Sequence, residues 1–137
     1  MISKKKTEFI GPDYKGCTSE DYSITNRIFI RAYKYDKTKS VEYQVYIQDA
    51  YFGNWRYYDK AYNSDGIKMD FLSIYKEVKT CTSGQCALEE HVALNVTPKY
   101  LLAHQNTGIQ VKISGINGWK VCSLPENYLK AFLSVVK

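Results

Sequence analysis

Four cysteines and two histidines are the residues of this chain best able to do chemistry, and their spacing decides among three uses. Cys81 and Cys86 bracket the loop Thr82-Ser83-Gly84-Gln85, with strand-like sequence on both sides. Cysteines facing each other across the mouth of a hairpin are placed for a disulfide, and a disulfide belongs to an oxidising compartment. Cys17 and Cys122 can then pair across most of the chain, although four cysteines allow three pairings and spacing alone does not choose. Zinc is the rival use. Cys81, Cys86, His91 and His104 have suitable donors, but Cys-x4-Cys is wider than most paired ligands and His91 alternates within a strand, so no metal and no cofactor is expected. Thiolate catalysis lacks both a Cys-x-x-Cys pair and a histidine placed by any motif to activate a sulfur.

Other catalytic constellations are thin. The chain has no G-x-S-x-G, no phosphate-binding loop and no dinucleotide fingerprint, so no catalytic residue is assigned and the reading leans away from an enzyme. Glu89 and Glu90 are neighbours in a strand and point to opposite faces. Glu90 falls in the inward frame, which reads first as a device against edge pairing and second as a buried group partnered by Arg56. Asn63, Asp65 and Gly66 resemble a fragment of a calcium loop and read as a plain turn. The best binding candidate is Trp55-Arg56-Tyr57-Tyr58-Asp59-Lys60-Ala61-Tyr62. As one strand it puts Tyr58 and Tyr62 on a face with Arg56 and Lys60, and Trp55, Tyr57 and Ala61 on the other. The first face could stack bases, sugars or a protein partner; the bland alternative is cross-strand Tyr packing beneath Arg and Lys stems.

The elements that position these residues follow from alternation. Thirteen Tyr, five Phe and two Trp in 137 residues favour a pleated, half-buried surface. Strands are predicted at residues 27–35, 41–48, 55–62, 67–71, 72–79, 88–96, 109–113 and 119–121. The shift of frame between Met69/Phe71 and Leu72/Ile74 predicts a bulge or short break. Thr97-Pro98 opens a short helix, Thr97 as N-cap. Ser123-Leu124-Pro125-Glu126 matches a capping box, followed by a helix whose apolar stripe is Tyr128, Leu129, Phe132, Leu133 and Val136. The fold expected is mainly β: an antiparallel sandwich or strongly curved sheet, with one short helix and a C-terminal amphipathic helix. Residues 1–20 are expected to be irregular and residues 21–137 to form a single β-rich domain.

Charge and hydropathy narrow the partners. The net charge is +5, and Lys4, Lys5 and Lys6 supply three of those charges in one run, which leaves little signal for nucleic acid. No apolar stretch approaches the roughly 20 residues of a membrane-spanning helix. Nor does an apolar run follow the basic start, so any export leader would lie upstream.

Residues 50–135 resemble a group of small bacterial exported proteins and lipoproteins of unknown function. The matching pattern is Trp55 with Asp59 and Ala61, Asp65-Gly66, Cys81 and Cys86 with Glu89, Tyr100-Leu101, Gly108, Gly115, and Pro125, Tyr128, Phe132 and Leu133. The resemblance implies a β-rich fold in the periplasm or at the outer membrane, and no activity. Cys17 sits in no lipobox, so a lipid anchor would also lie upstream. The expected function is a non-catalytic envelope module that binds another envelope protein through Trp55, Arg56, Tyr57, Tyr58, Lys60 and Tyr62. The alternatives are a cytosolic β-barrel binding single-stranded nucleic acid, and a small hydrolase or carbohydrate-active enzyme.

Overall fold

The alternation of Val41, Tyr43, Val45 and Ile47 against polar neighbours builds the central strand of the structure, a computed structural model that describes residues 5–18 and 23–136. That strand is β3 (Val41–Phe52). It is flanked by β2 (Ser23–Tyr35) and β6 (Gln85–Val96), with β1 (Lys6–Ile10) outside β2 and β5 (Asp70–Thr82) outside β6. The result is a five-stranded sheet in the order β1-β2-β3-β6-β5, with every pair antiparallel. A second antiparallel sheet holds β4 (Tyr58–Asn63), β7 (Ile109–Gly115) and β8 (Gly118–Leu124) in the order β4-β7-β8. Two helices complete the described residues, α1 (Pro98–Ala103) and α2 (Glu126–Val136). The architecture is the mainly β, two-sheet arrangement expected, with no closed barrel among the described residues.

The core lies between the sheets. Ile28, Ile30, Val45, Ile47, Val92 and Leu94 point in from the large sheet. Val111, Ile113, Cys122 and Leu124 answer from the small one. Leu101 of α1 and Leu129, Phe132 and Val136 of α2 join the same cluster, so α2 buries an apolar stripe and α1 a single leucine. Tyr43 meets Phe132 edge-on at 6.5 Å, which puts α2 at one end of β3.

Several local expectations change. Lys6–Ile10, expected to be irregular, is an outer strand whose residues are solvated on both faces except for part-buried Phe9, so its alternation is weak. β5 runs unbroken through the shift of frame, which is absorbed by a bulge between Ser73 and Tyr75; a second bulge follows between Val78 and Thr80. Thr97 caps α1 as expected, its Oγ1 accepting from the Tyr100 N–H at 3.0 Å. Ser123 does not cap α2. It lies in β8, with its N–H donating to the Gly16 carbonyl, and the Tyr128 and Leu129 N–H groups of the helix donate to the Pro125 carbonyl that precedes it.

Both cysteine pairs are disulfides. Cys81 and Cys86 are register partners at the end of the β5–β6 hairpin, closed by Ser83 and Gly84 at positive φ. Cys17–Cys122 ties the N-terminal segment to β8, where Gly16 and Thr18 also exchange backbone hydrogen bonds with the strand. The loops they close differ greatly, with sequence separations of 105 and 5. Replacing Cys17 and Cys122 together by Ala should cost about 4–5 kcal/mol in chemical denaturation, against about 2 kcal/mol for the Cys81/Cys86 pair. Equal losses would show that loop closure does not govern either bridge.

Candidate functional site

The aromatic-basic run does not form one strand. Its first part, from Gly53 to Tyr57, crosses from the large sheet to the small one, and β4 begins only at Tyr58. Tyr57 has φ +54° and lies exposed at 47%. A bulge then inserts Asp59 between Tyr58 and Lys60, which pair with Gly115 and Ser114. That extra residue reverses the alternation. Tyr58 and Ala61 both face inward, while Lys60 and Tyr62 lie on the part-exposed outer side. The predicted shared face of Arg56, Tyr58, Lys60 and Tyr62 is therefore split: Arg56 and Tyr58 are interior. Trp55 is part-buried beside Tyr57, with ring centroids 6.3 Å apart.

Arg56 enters the interior because three other charges are already there. Asp49, Glu90 and Lys120 are each exposed by 2% or less and Arg56 by 5%. Asp49 continues the inward frame of Val45 and Ile47; Glu90 continues that of Val92 and Leu94; Lys120 that of Cys122 and Leu124. Asp49 and Glu90 are direct register partners across β3 and β6. Two like charges opposite each other are destabilising unless compensated. Arg56 Nη1 donates to Asp49 Oδ2 at 3.2 Å, and Lys120 Nζ stands 3.8 Å from Asp49 Oδ1.

Two tyrosines complete the network. Tyr58 Oη donates to Asp49 Oδ2 at 2.7 Å and accepts from Arg56 Nη1 at 2.9 Å. Tyr51 Oη donates to Glu90 Oε2 and accepts from the Arg56 N–H at 2.8 Å. The Tyr58 N–H donates to Glu90 Oε1 at 3.1 Å, and the guanidinium carbon of Arg56 lies 4.2 Å from the Tyr51 ring centre. Burial, and beyond it the neighbouring carboxylates, push both phenols well above the usual tyrosine range, so both stay as O–H donors. The crossover backbone is fixed as well. Asn117, in the β7–β8 turn, donates from Nδ2 to the Trp55 carbonyl at 2.9 Å and from its N–H to the Arg56 carbonyl at 3.3 Å. Gly115 permits this approach, since a Cβ there would fall 2.2 Å from the Arg56 carbonyl oxygen. Glu90 is thus a buried, partnered group on an interior strand rather than an edge device. It accepts from Tyr51 Oη and the Tyr58 N–H, and Arg56 donates to Asp49 opposite it.

The outer face of the large sheet carries a separate polar cluster. His91 hydrogen-bonds Tyr46 Oη through Nδ1 and Glu89 through Nε2, both at 2.8 Å, and Lys79 Nζ reaches Glu89 at 3.0 Å. Burial raises the Glu89 carboxyl, but the bonds and charges of His91 and Lys79 outweigh it and hold the group below the usual range. The zinc ligand set is not assembled. Cys81 and Cys86 are bonded to each other, and His104 Nδ1 pairs with the Tyr100 carbonyl at 2.9 Å. Asn63 and Asp65 form a plain turn in which Asn63 Oδ1 accepts from the Asp65 and Ile67 N–H groups. A cleft of about 680 Å³ lies beside Cys17, Lys15, His104 and Ser123, away from the buried charges.

Sequence reasoning missed Asp49 and Lys120. The signal was available: both fall in the inward frames of their strands once the alternation is carried one step past Gln48 and back from Cys122. Comparisons with protein-family models, with curated proteins and with solved structures find no match to this chain.

Arg56→Met should destabilise the fold by about 3–5 kcal/mol in chemical denaturation, because it leaves buried carboxylate charge uncompensated. Lys60→Met on the outer side should stay within about 0.5 kcal/mol of the parent. Similar losses would mean that the buried pair carries no special weight. For Glu89, the lowered value means that its contribution to stability is complete above the unfolded carboxylate range and disappears as pH falls through the folded value. Carboxyl-detected NMR should place its midpoint below that of an ordinary glutamate, and Lys79→Met should raise it.

Proposed function

We propose that this chain is a non-catalytic interaction module of the bacterial envelope, which recognises another exported protein by accepting an extended segment along β5. The observation that carries this reading is the open side of the large sheet. β5 is thirteen residues long, ends the sheet among the described residues and is exposed along almost its whole length. Ile74, Tyr75 and Val78 are among its exposed apolar side chains. The open edge of such a strand offers backbone donors and acceptors to a second chain.

The details favour a short, specific partner over open-ended stacking. The bulges at Ser73/Tyr75 and Val78/Thr80 leave Tyr75–Val78 as a regular stretch of ladder, and Lys76, Glu77 and Lys79 discourage edge-to-edge aggregation. Exposed Tyr57 stands next to this stretch, with Lys76 Nζ 5.2 Å from its ring centre. The recognition surface is therefore the open edge of β5, with Tyr57, Lys76 and Val78 on one face of it and Tyr75 on the other beside His91, in place of the single strand expected from the sequence. Tyrosine suits such a surface because it offers large contact area at small entropic cost. The Cys81–Cys86 bridge holds the hairpin end of the edge in register. Two disulfides fit an oxidising, exported setting, and no helix among the described residues is long and apolar enough to cross a membrane.

A photo-cross-linking residue at Val78 should capture one discrete envelope protein in cells. The same residue at Val135, an exposed apolar position on α2, should not. No adduct at Val78, or the same adducts from both positions, overturns the reading.

A further inference from the structure

We propose that Lys120 and Asp49 form a side-chain amide that covalently joins β8 of the small sheet to β3 of the large one, with Glu90 relaying the proton. The groups required are an amine, a carboxyl group, a second carboxyl to move protons, and a site that excludes water. All of them sit in the buried network between the sheets.

The two oxygens of Asp49 have unlike surroundings. Oδ2 receives Tyr58 Oη at 2.7 Å and Arg56 Nη1 at 3.2 Å. Oδ1 is buried with no hydrogen-bond partner among the described residues and lies 3.8 Å from Lys120 Nζ. This is the asymmetry that attack at Cγ needs. Charge developing on Oδ2 in the tetrahedral intermediate meets two donors already in place. Oδ1, which nothing holds, is the oxygen that leaves. Glu90 lies directly opposite Asp49 on the neighbouring strand, where cross-strand Cβ atoms are about 4.5–5.5 Å apart. Its oxygens already accept from Tyr51 Oη and the Tyr58 N–H, so a relayed proton enters on a remaining carboxylate lone pair.

The step balances without a co-reactant. Proton transfer from the ammonium to a carboxylate gives the neutral amine that attacks and the neutral acid that is attacked. Nζ then bonds to Cγ. Over the whole step the ammonium group gives up two hydrogens and keeps one as the amide N–H. Both reach Oδ1, by way of Glu90, the Cγ–Oδ1 bond breaks, and one water departs. Nothing is oxidised or reduced. In water such condensation is opposed by hydration of the two ions. Here the ions are stripped of water, and fixed neighbours react at effective concentrations of about 10⁵–10⁸ M when well aligned.

Intact mass of the purified protein, denatured and with both disulfides reduced, tests this directly. The expected value is about 18 Da below that of the four-thiol chain, one water lost, with a branched tryptic peptide joining the Asp49 and Lys120 segments. Full mass with trypsin cutting after Lys120 overturns the proposal. Lys120→Met should have full mass. If it too is short by one water, the loss comes from elsewhere, such as a cyclic imide at Asp65-Gly66, and the proposal fails. Glu90→Gln, with its fold checked by circular dichroism, should remain unlinked; rapid linkage in that variant removes Glu90 from the relay.

Discussion

Charge buried between two β-sheets must be compensated where it lies, and in this protein that requirement sets how the layers meet. Apolar contact alone is non-directional and would tolerate many offsets of one sheet over the other. Asp49 and Glu90 on the large sheet, Arg56 on the crossover, and Lys120 and Tyr58 on the small sheet leave far fewer. A slip of one residue in β3, β6 or β8 would turn a charge outward and leave its partners stranded in the interior. The cost of burying polar and charged groups means that this network adds little to net stability compared with apolar residues of similar shape. What it contributes is a single arrangement.

The irregular features of the chain between β3 and β8 serve that arrangement. The left-handed backbone at Tyr57, the extra residue at Asp59 and the bare backbone of Gly115 each depart from regular strand structure. Together they let the crossover pass close to the β7–β8 turn and deliver Arg56 and Tyr58 to the same carboxylate. At the other end of β3 the chemistry is different: Tyr43 meets Phe132, and the helices close the core with apolar contacts. One end of the sandwich is specified by hydrogen bonds and ions, the other by shape and hydrophobic burial.

The sequence was most legible where a single physical cause decides the structure. Val41, Tyr43, Val45 and Ile47 alternate because their face is the core between the sheets, and they form the central strand. Thr97-Pro98 starts a helix because the cap and the fixed proline φ agree. The Cys81–Cys86 hairpin follows from local geometry alone. Legibility failed where tertiary partners override local pattern. Nothing in the order Tyr58-Asp59-Lys60 announces a bulge, because the bulge exists to satisfy Gly115 and Ser114 on another strand. Ser123 has the spacing of a cap yet stays in β8, where its N–H pairs with the Gly16 carbonyl. The buried charges were partly legible. One inward-facing Glu can be an edge device, but inward-facing Asp49, Glu90 and Lys120 on three strands can be reconciled only by meeting one another.

The Cys17–Cys122 bridge also determines how the chain would respond to tension. A pull transmitted along the backbone from outside this pair enters at Cys17 and leaves at Cys122, so it passes through two sulfur atoms instead of the long span of chain between them, a sequence separation of 105. Strands β2 to β7 lie wholly inside the shielded span and would bear none of the stretching load. Only the N-terminal segment with β1 and the tail with α2 could peel away, and a molecule anchored at one end could be tugged repeatedly without its sandwich coming apart.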